Sequence, residues 1–338
     1  MAQRERIQDP VRNFEKLWTT FDRLYANFER KEVDWSEVYR TYRPMVNAQT
    51  TNKELFDISC AMVQELRDGH VMIDPSFEDE RIECGPPYTF AIDEAFPSRA
   101  EWRQFEAVMD TTLLRQGFSP AVRTAITEET NFQYRLSEDL GYLRLDEMTE
   151  RLTFGKFTRA LDEAVSAFQP KAGITIDLRF NGGGWDYIAY QLASRFTSPG
   201  TELGHYERQR REDKSTYSKR KYRRVKAKGR HQYTKPVVLL VSDFTASAAE
   251  VFVLLLKDLP HVTIIGDTTE GIFSDMHEFK LPNSWEVTLS RQQFFSREMI
   301  NYEGIGIAPD VRALNGAQDL VTGRDAVLEA GVAAILSK

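Results

Sequence analysis

Three short apolar runs constrain the fold of this chain more than any other feature. "AGITIDLRF" starts at Ala172, "PVVLLVS" at Pro236 and "HVTIIGD" at His261. Each is a nearly unbroken Val/Ile/Leu stretch, which reads as a strand buried on both faces. Helical patterns lie between them: Trp185, Ile188, Leu192 and Phe196 after the first, and "VFVLLLKDL" after the second. Strands that alternate with helices predict an α/β core around a largely parallel sheet with right-handed crossovers. "GYLRL" (141–145) adds a strand, and Phe157, Leu161, Val165 and Phe168 line a helix. "FKLPNSWEVTLS" reads as a hairpin turning at Asn283-Ser284, and "GRDAVLEAGVAAIL" as a closing helix.

The chain before this core has a different period. Val11, Phe14, Leu17, Trp18, Phe21, Leu24, Tyr25 and Phe28 fall on one helical face. Trp35, Val38, Tyr39 and Tyr42 suggest a second helix, and Thr51-x-x-Glu54 caps a third. The expected organisation is a helical bundle over 1–70, a connecting region over 71–135, and an α/β core over 136–338. The connecting region is poorly legible apart from a helical pattern from Trp102 to Leu114.

The 338 residues suffice for a sizeable apolar core. The net charge of -7 argues against a dedicated nucleic-acid binder. Residues 207–231 run against that balance, as a basic stretch with interleaved tyrosines. They read first as a solvated excursion, with attraction of an anionic substrate group as a second use. No run of about 18 apolar residues predicts a membrane span. The opening residues show no apolar signal-peptide region, so the compartment stays open between cytoplasmic and exported. Cys60 and Cys84 are the only cysteines; on numbers alone they read as two thiols, with a single bridge between them as the alternative.

In a parallel α/β sheet, sites form outside the C-terminal strand ends. Three loops belong there: "RFNGGGWD", "SDFTASAAE" and "GDTTEGIFSDMH". The three glycines from Gly182 to Gly184 allow backbone amides to face a ligand closely. They fit neither dinucleotide nor P-loop spacing, which leaves an oxyanion hole or a tight turn. Ser247-x-x-Glu250 is a capping box, so Ser247 starts a helix. The same position puts its hydroxyl beside orphan amides and a positive helix end, where a nucleophile would be useful. Local sequence leaves both readings standing. A serine nucleophile needs a base. His70 follows an Asp-Gly turn, His277 lies near the active end of the sheet, and His205, His231 and His261 are less well placed. Glu303, beside two glycines, is a carboxylate able to orient an imidazole.

Taken in order, "LRDGHVMI", "GYLRL", "IDLRFNGGGWD", "VVLLVSDFTASAAEVF", "VTIIGDTTEG" and "YEGIGIAPDV" resemble the S41 peptidases. That family includes C-terminal processing proteases, tricorn-type proteases and the modules of interphotoreceptor retinoid-binding protein. The resemblance implies a ClpP/crotonase-like core, here with no PDZ domain expected. It implies an acyl-enzyme peptidase acting on polypeptide, without metal or organic cofactor. Ser247 would be the nucleophile, with the amides of Ala248 and of Gly183 or Gly182 as the oxyanion hole. The family's Ser-Lys branch needs a lysine where Ile272 stands. The tricorn-like branch implies His70 as base and Glu303 as its partner; His277 stays the alternative base by its place near the active end of the sheet. Gly69 replaces the serine that precedes the tricorn-type histidine, so the link from Glu303 to His70 is open. A catalytically silent module of the same fold, holding an apolar ligand, is the alternative function.

Overall fold

The computed structural model describes residues 8–75, 84–86, 88–149, 154–213 and 216–337. The first seven residues, parts of the connecting region (76–83 and Pro87) and residues 214–215 of the basic run lie outside the described residues. The chain forms two compact units. The first contains 1–88, 206–221 and 274–295; the second contains 89–205, 222–273 and 296–338.

Local signals in the sequence start the helices of the first unit. Asp9 caps Pro10–Leu24, whose first-turn proline needs no amide partner. Asp34 caps Trp35–Tyr42 through the amides of Ser36 and Glu37. Thr51 and Glu54 form a reciprocal capping box at the start of Asn52–Gln64. Phe14, Leu17, Phe21 and Leu24 are buried at the three- and four-residue spacing read from the sequence. Trp18 and Trp35 each donate an indole N–H to the other's carbonyl at 3.1 Å. The core is completed by a hairpin from much later in the chain, Met276–Lys280 and Glu286–Ser290, with Met72–Asp74 on its other side. Trp285, Val287 and Leu289 of that hairpin are buried among the helical aromatics.

Cys60 and Cys84 form a disulfide, with Cα atoms 5.5 Å apart. The expectation of two thiols is therefore corrected. Counting cysteines does not reveal that Cys84 bridges Ile73 in an antiparallel contact and so returns to helix Asn52–Gln64.

The second unit holds a seven-stranded sheet. Its order is Val311–Arg312, Val262–Gly266, Val237–Val241, Gly173–Asp177, Leu140–Arg144, Gln133–Leu136 and Val122–Arg123. The first five are parallel and the last two antiparallel. Every residue of the three central strands is buried, as continuous apolar runs require. Helix Ala326–Leu336 lays Val327, Leu328, Val332 and Ile335 against Val238, Leu240 and Ile265. Helix Ala248–Leu256 is buried along its whole length, so its start is fixed by packing rather than by its caps alone. Within the poorly legible region, helix Arg99–Arg115 starts on a Ser98–Glu101 capping box.

Candidate active site

Strand Val237–Val241 runs into a loop that turns at Ser247 into helix Ala248–Leu256. Ser247 has φ +53° and ψ -122°, a conformation costing an L-residue about 1–3 kcal/mol. Neighbouring hydrogen bonds impose it. Ala246 N–H donates to the Asn181 carbonyl at 3.1 Å. Thr245 Oγ1 donates to the Leu178 carbonyl and accepts from the Ser242 amide. An ordinary N-cap has extended backbone. Here the helix begins at a strained serine whose hydroxyl makes no capping hydrogen bond, although Glu250 closes its half of the box onto Ser247 N–H at 3.2 Å. Ser247 is half-buried, and the amide of Ala248 has no hydrogen-bond partner among the described residues.

The glycine loop comes against this serine. A Cβ on Gly183 would lie 2.6 Å from Ser247 Cβ and 2.7 Å from the Ala246 carbonyl, so only glycine fits. Gly183 also has φ +97°, which favours glycine independently. Its N–H donates to Asn181 Oδ1 at 2.9 Å, and its carbonyl accepts from Met148 N–H at 2.8 Å. Gly182 is exposed, and its amide has no partner among the described residues. Of the two glycine amides expected to face an oxyanion, Gly182's is open and Gly183's is engaged. Asn181 was not singled out in the sequence. Its side-chain amide donates to the Leu145 carbonyl, so one residue ties together the glycine loop, the serine turn and the end of the neighbouring strand.

Glu250 does more than close a helix end. It is fully buried and accepts from Thr269 Oγ1 at 2.6 Å and from the amides of Gly271 and Ile272 at 2.8 Å each. Burial pushes its carboxyl up to about 7, against the pull of these donors. The carboxylate thus fixes the serine turn to loop 269–272. Ile272 spends its amide on that carboxylate and is itself buried. Glu303, also buried, accepts from Phe273 N–H at 2.9 Å. Its loop is held by Gly304 N–H to the Gly271 carbonyl at 2.7 Å and Ile307 N–H to Thr269 Oγ1 at 2.7 Å. Ser247, Ala248, Gly182 and Gly183 therefore share one neighbourhood of the second unit, and Glu303 is joined to it through residues 269–273.

The first unit carries His70 and His277. His70 ends a tight turn: its amide donates to Asp68 Oδ1 at 2.9 Å, and Tyr25 OH donates to Asp68 Oδ2 at 2.8 Å. Thr288 Oγ1 donates to the His70 carbonyl at 2.7 Å. The ring is buried, and its Nδ1 has no hydrogen-bond partner among the described residues. Burial lowers its pKa, with Asp68 opposing, so the imidazole is neutral near pH 7. His277 lies half-buried on strand Met276–Lys280 opposite Leu289, its pKa lowered by burial and then by Arg291. His205 and His261 are engaged elsewhere, with the Tyr190 hydroxyl at 3.0 Å and the Phe196 carbonyl at 3.1 Å.

A strained serine at a helix start, packed on a glycine loop at the C-terminal ends of parallel strands, is matched by comparison with known families. The model of peptidase family S41 matches residues 139–313. The chain belongs to peptidase family S41. The tricorn protease C1 domain model matches residues 8–63 as well. A carboxy-terminal-processing protease of Bartonella bacilliformis is 29% identical over 182 residues, 53% of this chain and 40% of that protein. The chain thus spans about two-fifths of that S41 relative's length. A crystal structure from Parabacteroides merdae, of a candidate peptidase, shares 26% identity over 98% of both chains with a TM-score of 0.81. Mature CPAF bound to lactacystin shares the fold over 97% of both chains, at 12% identity and TM-score 0.69.

Among the described residues, no helix is long and apolar enough to cross a membrane.

Proposed function

We propose that this S41 chain is a serine endopeptidase that cleaves polypeptides through an acyl-enzyme on Ser247. The observation that carries the reading is the Ser247 backbone. Strain of this kind persists where it places a group for use, and nothing about starting the helix requires it.

In this mechanism neutral His70 takes the proton of Ser247 Oγ as the oxygen attacks the peptide carbonyl. The developing oxyanion accepts from the Ala248 amide at the helix start and from a glycine-loop amide. Gly182 supplies that second donor directly; Gly183 supplies it only by giving up Asn181 Oδ1. The protonated His70 returns its proton to the leaving amine as the C–N bond breaks. Water, deprotonated by the same imidazole, then hydrolyses the ester and restores Ser247. Glu303 is the orienting carboxylate. Its support is indirect: it is buried and holds the amide of Phe273, at the end of the loop that Glu250 ties to the serine turn.

A fluorophosphonate probe tests the reading. Wild-type protein should be labelled once, at Ser247, and His70→Ala should lower labelling and peptide turnover by at least about 100-fold. His277→Ala should leave both within a few-fold. Because burial lowers the His70 pKa below 6.5, the acid limb of kcat/KM should fall below pH 6.5. Unlabelled wild-type protein, with turnover indifferent to Ser247→Ala, would return the chain to a silent binding module.

A further inference from the structure

The basic run has a definite place in the structure. From Thr216 to Pro236 the sequence contains nine Lys and Arg residues and no acid. Strand Lys221–Val225 is the outer strand of a three-stranded sheet, beside Leu203–Gln209, and among the described residues no strand lies on its other edge. Val225 is buried, whereas Arg223, Arg224, Lys226, Lys228 and Arg230 are exposed. The ribbon is pinned: Lys228 N–H donates to the Ser194 carbonyl at 3.0 Å, and Tyr233 N–H to the Arg195 carbonyl at 2.7 Å. The ion pair of Arg224 with Glu202 at 3.5 Å joins two exposed side chains and is weak in water.

Two of the tyrosines interleaved in this run, Tyr217 and Tyr222, are packed against the protein itself. Tyr217 lies under Arg208, with the guanidinium 4.0 Å from the ring centre. Tyr222 covers Gly204, where a Cβ would meet its ring at 2.6 Å. Tyr233 is buried. Among the described residues from Leu203 to Pro236, no large aromatic side chain is exposed as a platform for single-stranded nucleic acid. Among the described residues, no large apolar side chain is exposed between Leu203 and Pro236 to anchor in a lipid surface. What remains is a strand edge and fixed positive charge. Side chains on one face of a strand repeat about every 6.6 Å, the spacing of alternate side chains on a second extended chain.

We propose that the edge strand Lys221–Val225, with Lys226, Lys228 and Arg230, docks an extended polypeptide segment rich in Asp and Glu, added as a further strand. Resting on the peptidase reading, this edge selects substrates whose acidic stretch lies away from the scissile bond.

The test is fluorescence anisotropy of the full chain with a labelled 12-residue peptide of alternating Glu and Thr. Binding should weaken at least about tenfold between 50 and 300 mM NaCl. The variant R223E/R224E/K226E should lose at least about tenfold in affinity while keeping wild-type far-UV circular dichroism. Should it misfold, K226E/K228E, at exposed positions, should still lose several-fold. A peptide of equal charge with prolines at alternate positions should bind several-fold more weakly, since strand addition needs its amides. Unchanged affinity in the folded variants, or indifference to proline, overturns the proposal. Tighter binding of an oligothymidine 12-mer or of phosphatidylserine vesicles overturns it in favour of those partners. The two readings fail separately: acidic peptide bound by a protein that cleaves nothing leaves the docking edge standing, and cleavage of neutral peptides without acidic binding leaves only the peptidase.

Discussion

Replacing Ser247 by glycine should give a more stable protein than replacing it by alanine. Both variants lack the hydroxyl, so lost chemistry cancels between them. Alanine keeps a Cβ at φ +53° and ψ -122° and retains the strain, about 1–3 kcal/mol. Glycine adopts this conformation without strain but costs about 0.5–1 kcal/mol of extra unfolded-state entropy. The net preference for glycine is therefore about 1 kcal/mol, within a range of about 0–2.5 kcal/mol. In a unit of roughly two hundred residues, each kcal/mol moves the midpoint by about 2–4 °C. Urea titration of the two variants, followed by tryptophan fluorescence, measures the difference; Trp102 and Trp185 both lie in the second unit. An alanine variant as stable as the glycine variant, or more so, would refute the claim that the turn stores strain. The backbone at Ser247 would then no longer mark it out as a nucleophile.

Other outcomes follow from the same contacts. Gly183→Ala would drive a Cβ into Ser247 Cβ, the Ala246 carbonyl and the Ala248 amide, the last at 2.9 Å. It should cut fluorophosphonate labelling by about 100-fold or more while the nucleophile is untouched, because it moves the oxyanion donors. Glu250→Gln would set an NH2 group against amide donors that now share a carboxylate, and should cost about 2–4 kcal/mol by urea titration. The raised pKa of Glu250 gives a pH signature. Its contribution is fully present below the usual carboxyl pKa and lost as pH rises through about 7, and Glu250→Gln should abolish that slope. Reducing the Cys60–Cys84 bridge opens a loop of 24 residues and should cost the first unit about 3.5 kcal/mol, read as a lower urea midpoint in reductant.

Much of the second unit was legible because its signals are local. Continuous Val/Ile/Leu runs became buried parallel strands, and Thr51-x-x-Glu54 became a working capping box. Strand Gln133–Leu136 was missed: it alternates weakly and pairs antiparallel at the sheet's end, where burial is incomplete. The disulfide was missed because its partners meet only through tertiary packing. At the candidate site, the serine and glycine loop announced themselves by residue type. The parts played by Asn181 and Thr245 did not, because a side chain that holds a distant carbonyl looks in sequence like any loop polar residue. Glu250 was read as half a helix cap, and periodicity gives no hint of its bonds to Thr269, Gly271 and Ile272.

The composition of the first unit from three separated stretches has a consequence for how the protein is made. Phe14, Phe21, Trp35 and Leu55 are among the first residues to leave the ribosome, yet Trp285, Val287 and Leu289 share their core. That core cannot close until about residue 295 has emerged, after the central strands of the other unit are available to pair. The part of the chain synthesised first is therefore completed only late, once about residue 295 is out. Its aromatic face stays uncovered through most of translation, and no single cut in the chain would release it as an independently folding piece.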